Sequence, residues 1–156
     1  TGITEFVTGT GGHGVQQFIV TDNRMAVGYD TSPYSFGALR LQLNLDGAGW
    51  YEISGLGWSG AGRIAKVEVS KDGGRQWELA ALREQVLPKA LTRFRLPWNW
   101  DGQPCTLMSR ATDETGDVQP TRADWVSQFV PGQIYHFNGI QAWGIAADGT
   151  VKNVYV

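Results

Sequence analysis

Hydrophobic and polar residues alternate along most of this chain, and a two-residue period is typical of β-strands with one buried face. The clearest case is segment 36–45, where leucine occupies every second position at Leu39, Leu41, Leu43 and Leu45. Segment 65–69 alternates similarly. After the turn sequence Lys71-Asp72-Gly73-Gly74, Trp77 and Leu79 share one face. Glycine reaches the positive φ angles of tight turns, so this stretch predicts a β-hairpin.

Other segments extend the same pattern. Phe94 and Leu96 alternate with arginines, and 140–147 and 151–156 flank an Asp148-Gly149 turn that predicts a second hairpin. Weaker strand patterns occur at 3–8, 15–20, 25–29, 50–58 and 106–112. Segment 78–86 has moderate helical propensity before Pro88, and we interpret it as the tail of a strand followed by a loop.

The composition supports one all-β domain. Glycine accounts for 21 of 156 residues, and 12% of the chain is aromatic but only 18% charged. Many turns and many aromatic side chains suit a sheet protein and argue against a helical bundle. Roughly ten to twelve short strands predict an immunoglobulin-like β-sandwich with extra N-terminal strands.

The charge and hydropathy patterns argue against two classes of partner. Thirteen basic residues against fifteen acidic ones give a net charge of −2, without the basic patch that nucleic acid requires. No apolar run approaches the ~20 residues that span a bilayer, so no membrane partner is expected. Residues 1–10 lack a signal-peptide pattern. Because a secreted chain whose signal peptide has been removed would look the same, the sequence does not decide localisation.

Few residue patterns indicate catalysis, phosphate binding or metal binding. The glycine-rich stretch 9–14 precedes a predicted strand rather than a helix and has no following lysine, so a tight turn is favoured over a phosphate loop. His13 and His136, the two histidines, are far apart and lack metal-ligand spacing. Cys105 has no neighbouring histidine or basic run, which favours an unreactive thiol. We therefore expect no catalytic, cofactor or metal site.

Two further patterns have competing interpretations. Segment 113–117 resembles part of a calcium loop but lacks the distal glutamate, and a polar turn is favoured. The sequence Trp98-Asn99-Trp100 allows a stacking platform for sugars or bases, but packing is favoured because no charged ligand partners adjoin it.

Residues 47–156 carry a family resemblance through several motifs in order. They are YEISGLGWSG at 51–60, VEVSKDGGRQW at 67–77 and the segments 87–94, 98–102, 109–114, 118–122 and 135–143. Together they resemble the C-terminal dimerisation domain of molybdenum-cofactor sulfite oxidases, most closely the bacterial sulfite or sulfane dehydrogenase branch.

This resemblance implies an immunoglobulin-like sandwich that forms homodimers. In that family a preceding domain holds the molybdopterin, so Cys105 is not carried over as a metal ligand. Basic residues near the end of the family's domain help line an anion pocket, and His136 lies in the comparable stretch. His136, Arg110 and Arg122 are therefore candidate contacts for sulfite or sulfate. The resembled families are largely periplasmic or secreted in bacteria.

Residues 1–46 show a different resemblance, carried by ITEFVTGTGG at 3–12 and FGALRLQL at 36–43. These segments are similar to the last strands of a calcineurin-like metallophosphoesterase, without its metal ligands. The two resemblances together predict a recombined or engineered chimera joined near 46–50, folded as one unit, in which strand 36–45 replaces a strand of the sandwich.

Three functions follow as hypotheses. The first is a non-catalytic β-sandwich module that associates with itself. The second is a fragment that retains an anion or small-ligand site. The third is a metallophosphoesterase remnant with residual metal binding through His13.

Overall fold

Seven antiparallel strands and one short helix form the part of the chain described by the computed structural model, residues 45, 47–83, 85–128 and 138–156. The elements are β1 (Gly49–Gly57), β2 (Ile64–Ser70), β3 (Glu78–Leu82), β4 (Thr92–Trp100), β5 (Cys105–Asp113), α1 (Arg122–Gln128), β6 (Ala142–Ile145) and β7 (Val151–Val154). Their order in the sheet is β1-β4-β3-β2-β5-β6-β7.

The strand β3 joins the two halves of this sheet. Its residues 78–80 pair with β2, whereas Ala81 and Leu82 pair with β4. Buried side chains from both halves meet in one hydrophobic core, which includes Ile53, Val67, Phe94, Leu107 and Trp143. The sheet therefore curls around a single core, and the predicted all-β, immunoglobulin-like sandwich is confirmed.

The strand β4 confirms the predicted alternation of Phe94 and Leu96 with arginines and extends it over its whole length. Its buried positions are Thr92, Phe94, Leu96, Trp98 and Trp100. Pro97 is accommodated within the strand because β3 pairs with β4 only at Phe94 and Arg95, which leaves β1 as the described neighbour of Pro97.

Trp98 and Trp100 are packed in the core, being only 4% and 2% exposed. Both rings lie against Tyr51, with centroids 6.2 Å away in each case. The indole nitrogen of Trp100 donates a hydrogen bond of 2.8 Å to the carbonyl of Gln103. The packing interpretation is thus confirmed, and a stacking platform here is wrong because neither indole face is open to a ligand.

The predicted hairpin around residues 71–74 is present between β2 and β3. The hydroxyl of buried Ser70 accepts a hydrogen bond from the Gly74 amide at 2.8 Å and donates one to Asp72 at 2.8 Å. Gly73 and Gly74 have positive φ angles, as the turn sequence predicts. At the start of β2 the register shifts, so Ile64 is buried and Ala65 is exposed, contrary to simple alternation from Ala65.

Most other strand predictions in the described region are confirmed. Segments 50–58 and 106–112 correspond to β1 and β5, the C-terminal hairpin to β6 and β7, and 78–86 to β3 and part of a loop. Of segment 36–45 only Leu45 is described; it lies outside the strands and packs against the core. The predictions at 3–8, 15–20 and 25–29 lie outside the described residues.

Candidate interaction surface

One outer face of the sheet carries Arg110 and Arg122, the two predicted anion contacts that the structure describes, together with aromatic side chains beside them. Directly opposed residues on antiparallel strands point to the same side of a sheet. Leu79, Glu68 and Arg110 form one such row across β3, β2 and β5. A neighbouring row crosses β2, β5, β6 and β7 and consists of Ser70, Met108, Ala142 and Val154. We call these two rows, together with Trp77, Arg122 and Tyr155, the outer face.

Arg110 is held by both charge and an aromatic ring. Its Nε donates a 2.9 Å hydrogen bond to the Glu68 carboxylate, which also receives Lys66 Nζ at 3.1 Å. Its guanidinium carbon lies 4.2 Å from the centroid of the Trp77 ring. The hydrogen bond from Arg110 holds the pKa of Glu68 below its usual value. The arginine is therefore pre-positioned, and part of its charge is compensated within the chain.

A small apolar cluster lies at the centre of the outer face. Met108, Ile140 and Ala142 are buried, and Trp77 and Val154 pack against them. The backbone amide of Ile140 donates a 2.8 Å hydrogen bond to the carbonyl of Pro120, which ties the segment before β6 to the segment before α1. This cluster is separate from the main core, so the sheet carries apolar packing on both sides.

A second arginine stacks on an aromatic ring at the other side of this cluster. The guanidinium carbon of Arg122 is 4.2 Å from the centroid of Tyr155, whose side chain is 73% exposed. The two residues border a small cavity of about 30 Å³ that opens to solvent, with Met108, Ile140 and Val154 among its lining. No carboxylate among the described residues forms an ion pair with Arg122.

Local structure at the start of α1 positions Arg122. The Thr121 hydroxyl accepts a hydrogen bond from the Asp124 amide at 3.1 Å and donates one to the Asp124 carboxylate at 2.6 Å. Thr121 is therefore the N-cap residue, and the helix begins at Arg122.

The predicted anion contacts are only partly described. Arg110 and Arg122 both lie on the outer face, on either side of the Met108 cluster, while His136 lies outside the described residues. Their role as anion contacts stays a prediction. His13 and the glycine-rich stretch 9–14 also lie outside the described residues.

The turn at 113–117 is a polar turn, as favoured from the sequence. Asp113 is 2% exposed, and one carboxylate oxygen accepts hydrogen bonds from the amides of Thr115 and Asp117 and from the Thr115 hydroxyl. The other accepts a 2.6 Å hydrogen bond from the Ser59 hydroxyl. Burial raises the pKa of Asp113, but these hydrogen bonds outweigh it and hold the pKa below its ordinary value. The carboxylate is thus occupied by protein donors, unlike a calcium ligand.

The rest of the described region offers few side chains suited to catalysis or metal binding. Burial, with a contribution from Asp101, raises the pKa of the Cys105 thiol to about 11, so the thiol is protonated at neutral pH. The described residues contain no cluster of three or more histidine, cysteine or acidic side chains suited to a metal. No helix within residues 45–156, where described, is long and apolar enough to cross a membrane.

Sequence reasoning did not identify α1, Trp77 or Tyr155 as parts of a surface. The sequence Thr-Arg-Ala-Asp at 121–124 carries the capping-box spacing that would have signalled the helix. The contact between Arg122 and Tyr155 has no local signal, because it joins residues 33 positions apart in the printed sequence.

Comparisons with known proteins agree on one domain type. The family model described as the Mo-co oxidoreductase dimerisation domain matches residues 38–142. The crystal structure of the sulfane dehydrogenase SoxCD from Paracoccus pantotrophus superimposes with a TM-score of 0.69 and 53% identity, covering 70% of this chain and 28% of that one. This structural match is consistent with the fold built up above.

Curated relatives align over shorter regions. Nitrate reductase [NADH] 2 of Arabidopsis thaliana is 33% identical over 87 residues, covering 48% of this chain and 9% of the reductase. Sulfite oxidase of Gallus gallus is 35% identical over 75 residues, covering 44% of this chain and 16% of the oxidase. The chain therefore spans less than a fifth of these two curated relatives.

The comparisons give no support to a metallophosphoesterase segment or to a chimera. The family match begins at residue 38, within the segment 1–46 assigned above to the phosphoesterase resemblance. That resemblance and the predicted junction near 46–50 stay predictions.

Proposed function

The chain belongs to the Mo-co oxidoreductase dimerisation domain family, and from this premise we propose that it is a non-catalytic module that forms homodimers. The observation that carries the proposal is the family match over residues 38–142. In a longer protein of this type, such a module would hold two copies of a molybdenum-cofactor oxidoreductase together.

The chemistry of the described residues supports a role in association rather than in catalysis. Arg110 and Arg122 are each stacked on an aromatic ring beside an apolar cluster, and arginine, tryptophan and tyrosine are the residues that dominate binding energy at protein interfaces. A bound cofactor would supply redox chemistry from another part of a longer protein.

The direct test is size-exclusion chromatography with light scattering over a hundredfold dilution range. A species near twice 17.1 kDa that persists on dilution is the expected result. A monomer at every concentration would contradict the proposal.

A second candidate function is the binding of sulfite or sulfate, proposed as an inheritance from a sulfite dehydrogenase. The observation that favours it is Arg122, which borders the open cavity without a described carboxylate partner. Isothermal titration with each anion tests it. Heat of binding at millimolar anion that disappears in Arg122→Gln would support this candidate, and the absence of heat in the parent chain would dismiss it.

A further inference from the structure

Three arginines meet on the side of β4 that points away from the core. Arg93 and Arg95 alternate with the buried side chains of β4, and Arg83, just after β3, donates a 2.8 Å backbone hydrogen bond to the carbonyl of Arg93. Opposed residues of antiparallel strands point to the same side of a sheet, so the three side chains share one surface. We call it the arginine face, and it also includes Trp50 and Leu56 of β1. We propose that the arginine face docks a carboxylate-bearing surface of a partner protein.

The opposed pair of arginines is unfavourable for the isolated chain. Like charges directly opposite each other on paired strands destabilise a sheet, and Arg83 and Arg93 are placed in this way. Both side chains are exposed, and no carboxylate of the described residues forms an ion pair with either. Proteins break a local rule of this kind mainly at functional sites. Negative charge supplied by a partner would relieve the repulsion.

Negative charge on the arginine face is limited to Glu52. It is the one acidic residue among the outward positions of β1 and β4, all of which the structure describes. Its carboxylate lies 3.3 Å from Nη1 of Arg95. Because a guanidinium has five N–H donors, Arg95 keeps donors for a second carboxylate. Three arginines against one glutamate leave this face positive on a chain whose net charge is −2.

The spacing of the arginines suits carboxylates carried by a protein. Arg93 and Arg95 are separated by about 6.6 Å along the strand, and the Cβ atoms of opposed residues such as Arg83 and Arg93 lie about 5 Å apart. Carboxylates two positions apart on an extended segment, or one turn apart on a helix, have a similar spacing. A nucleic acid would instead extend beyond this small patch, over a chain with more acidic than basic residues that repels its phosphates.

The expected contact is transient and sensitive to salt. The apolar part of the arginine face is small, since Trp50 is 75% exposed but Leu56 is half-buried. Contacts dominated by exposed charges are screened by salt, and interfaces below about 1,200 Å² in total are typical of transient encounters. The arginine face therefore suits the steering and orientation of an acidic partner, which is distinct from the second copy in the proposed homodimer.

Fluorescence anisotropy with the full chain at low ionic strength tests the proposal. The probe is a labelled peptide of alternating glutamate and serine, and its counterpart carries glutamine in place of every glutamate. The double variant Arg83→Gln/Arg93→Gln removes the opposed pair. Its matched control, Arg75→Gln/Lys152→Gln, removes the same charge from exposed positions in the turn after β2 and on β7. Melting temperatures of both variants verify folding.

We expect the dissociation constant of the acidic peptide to rise about tenfold in Arg83→Gln/Arg93→Gln and less than about twofold in the control. The melting temperature of the double variant should equal or exceed that of the parent, because the repulsion between the opposed arginines is gone. Equal losses of binding in the two variants would overturn the proposal, since overall charge would then explain the binding. It would also be overturned if the acidic peptide bound the parent no more tightly than its glutamine counterpart.

Two further outcomes would assign the arginine face to a different occupant and so overturn the proposal. One is tighter binding of a labelled oligothymidylate than of the acidic peptide, with the same dependence on Arg83 and Arg93. The other is a raised dimer dissociation constant of Arg83→Gln/Arg93→Gln in sedimentation equilibrium, which would place the second copy there. A monomeric parent that binds the acidic peptide through these arginines would contradict the proposed homodimer and support the present inference.

Discussion

The Arg110 guanidinium is fixed between two partners, stacking 4.2 Å from the Trp77 ring centroid while its Nε donates to Glu68 at 2.9 Å. The side chain of Glu68 is 16% exposed and that of Arg110 31%, so this contact is better shielded from solvent than a typical surface ion pair. Cation–π contact and a charge-assisted hydrogen bond therefore act on the same group.

Arg110→Leu is expected to raise the pKa of Glu68, because it removes the hydrogen bond that lowers that pKa most. It is also expected to reduce the free energy of unfolding by about 1 kcal/mol. Carboxyl NMR titration and urea denaturation measure the two effects. The matched control is Arg95→Leu, which removes a more exposed pair with Glu52 at 3.3 Å. An equal loss in both variants would show that the stacking on Trp77 contributes nothing.

Asp113→Asn is expected to lower the free energy of unfolding by about 2 kcal/mol at neutral pH, because the buried carboxylate accepts hydrogen bonds that an amide cannot fully replace. The sign of the pH dependence follows from its lowered pKa. Its contribution is complete above the ordinary aspartate value of 3.8 and is lost as the pH falls through the lower folded-state pKa.

The free energy of unfolding measured from pH 6 down to pH 2 therefore tests this contribution of Asp113. The parent chain should lose more stability on acidification than the Asp113→Asn variant does. Asp117→Asn serves as the control, since that side chain is exposed. If the free energy of unfolding falls equally with pH in the parent and in Asp113→Asn, the lowered pKa of Asp113 in the folded chain is contradicted.

Trp100→Ala is expected to reduce the free energy of unfolding by about 3–5 kcal/mol, because it opens a cavity in the core beside Trp98 and Tyr51. Trp50→Ala provides the comparison, since Trp50 is 75% exposed, and should change stability by less than about 0.5 kcal/mol. Chemical denaturation of both variants is the measurement. Similar losses would mean that Trp50 is also buried in the folded protein.

The alternation of residues predicted much of the fold. In β4 the predicted alternation of Phe94 and Leu96 with arginines is confirmed and extends to every second side chain from Thr92 to Trp100, and the glycine turn at 73–74 joins β2 to β3. Alternation failed where the backbone changes register. The irregularity between Ile64 and Lys66 buries Ile64 and exposes Ala65, and hydrophobicity alone does not reveal such a bulge.

The outer face was harder to predict, because its members come from distant parts of the chain. Leu79 lies on it, exposed, while its small neighbour Ala80 takes the buried position opposite Val67. Arg110 and Arg122 were identified as notable cations, but their aromatic partners Trp77 and Tyr155 depend on tertiary structure. Cross-strand neighbours follow from register, which requires the pairing of strands to be known.

Cys105 is expected to react slowly with thiol reagents at pH 8. With a pKa of about 11 rather than 9.0, the thiolate is about 100-fold less abundant than in an ordinary cysteine. Iodoacetamide labelling followed by mass spectrometry measures the rate, with the urea-unfolded chain as the reference. Asp101→Asn should accelerate labelling of the folded chain, because it removes the negative charge that contributes to the raised pKa. Equal rates for the folded and unfolded parent would contradict this expectation.

The pairing of β1 with β4 also shapes how the chain acquires its structure. Glu52 and Arg95, diagonal neighbours that form an ion pair across these strands, are 43 residues apart in sequence. During synthesis β1 therefore emerges well before β4, and its backbone amides and carbonyls cannot pair with β4 until that strand has been made. Such distant pairings slow folding, so the ribosome-bound chain passes through a period in which β1 is open to incorrect pairing or to chaperones.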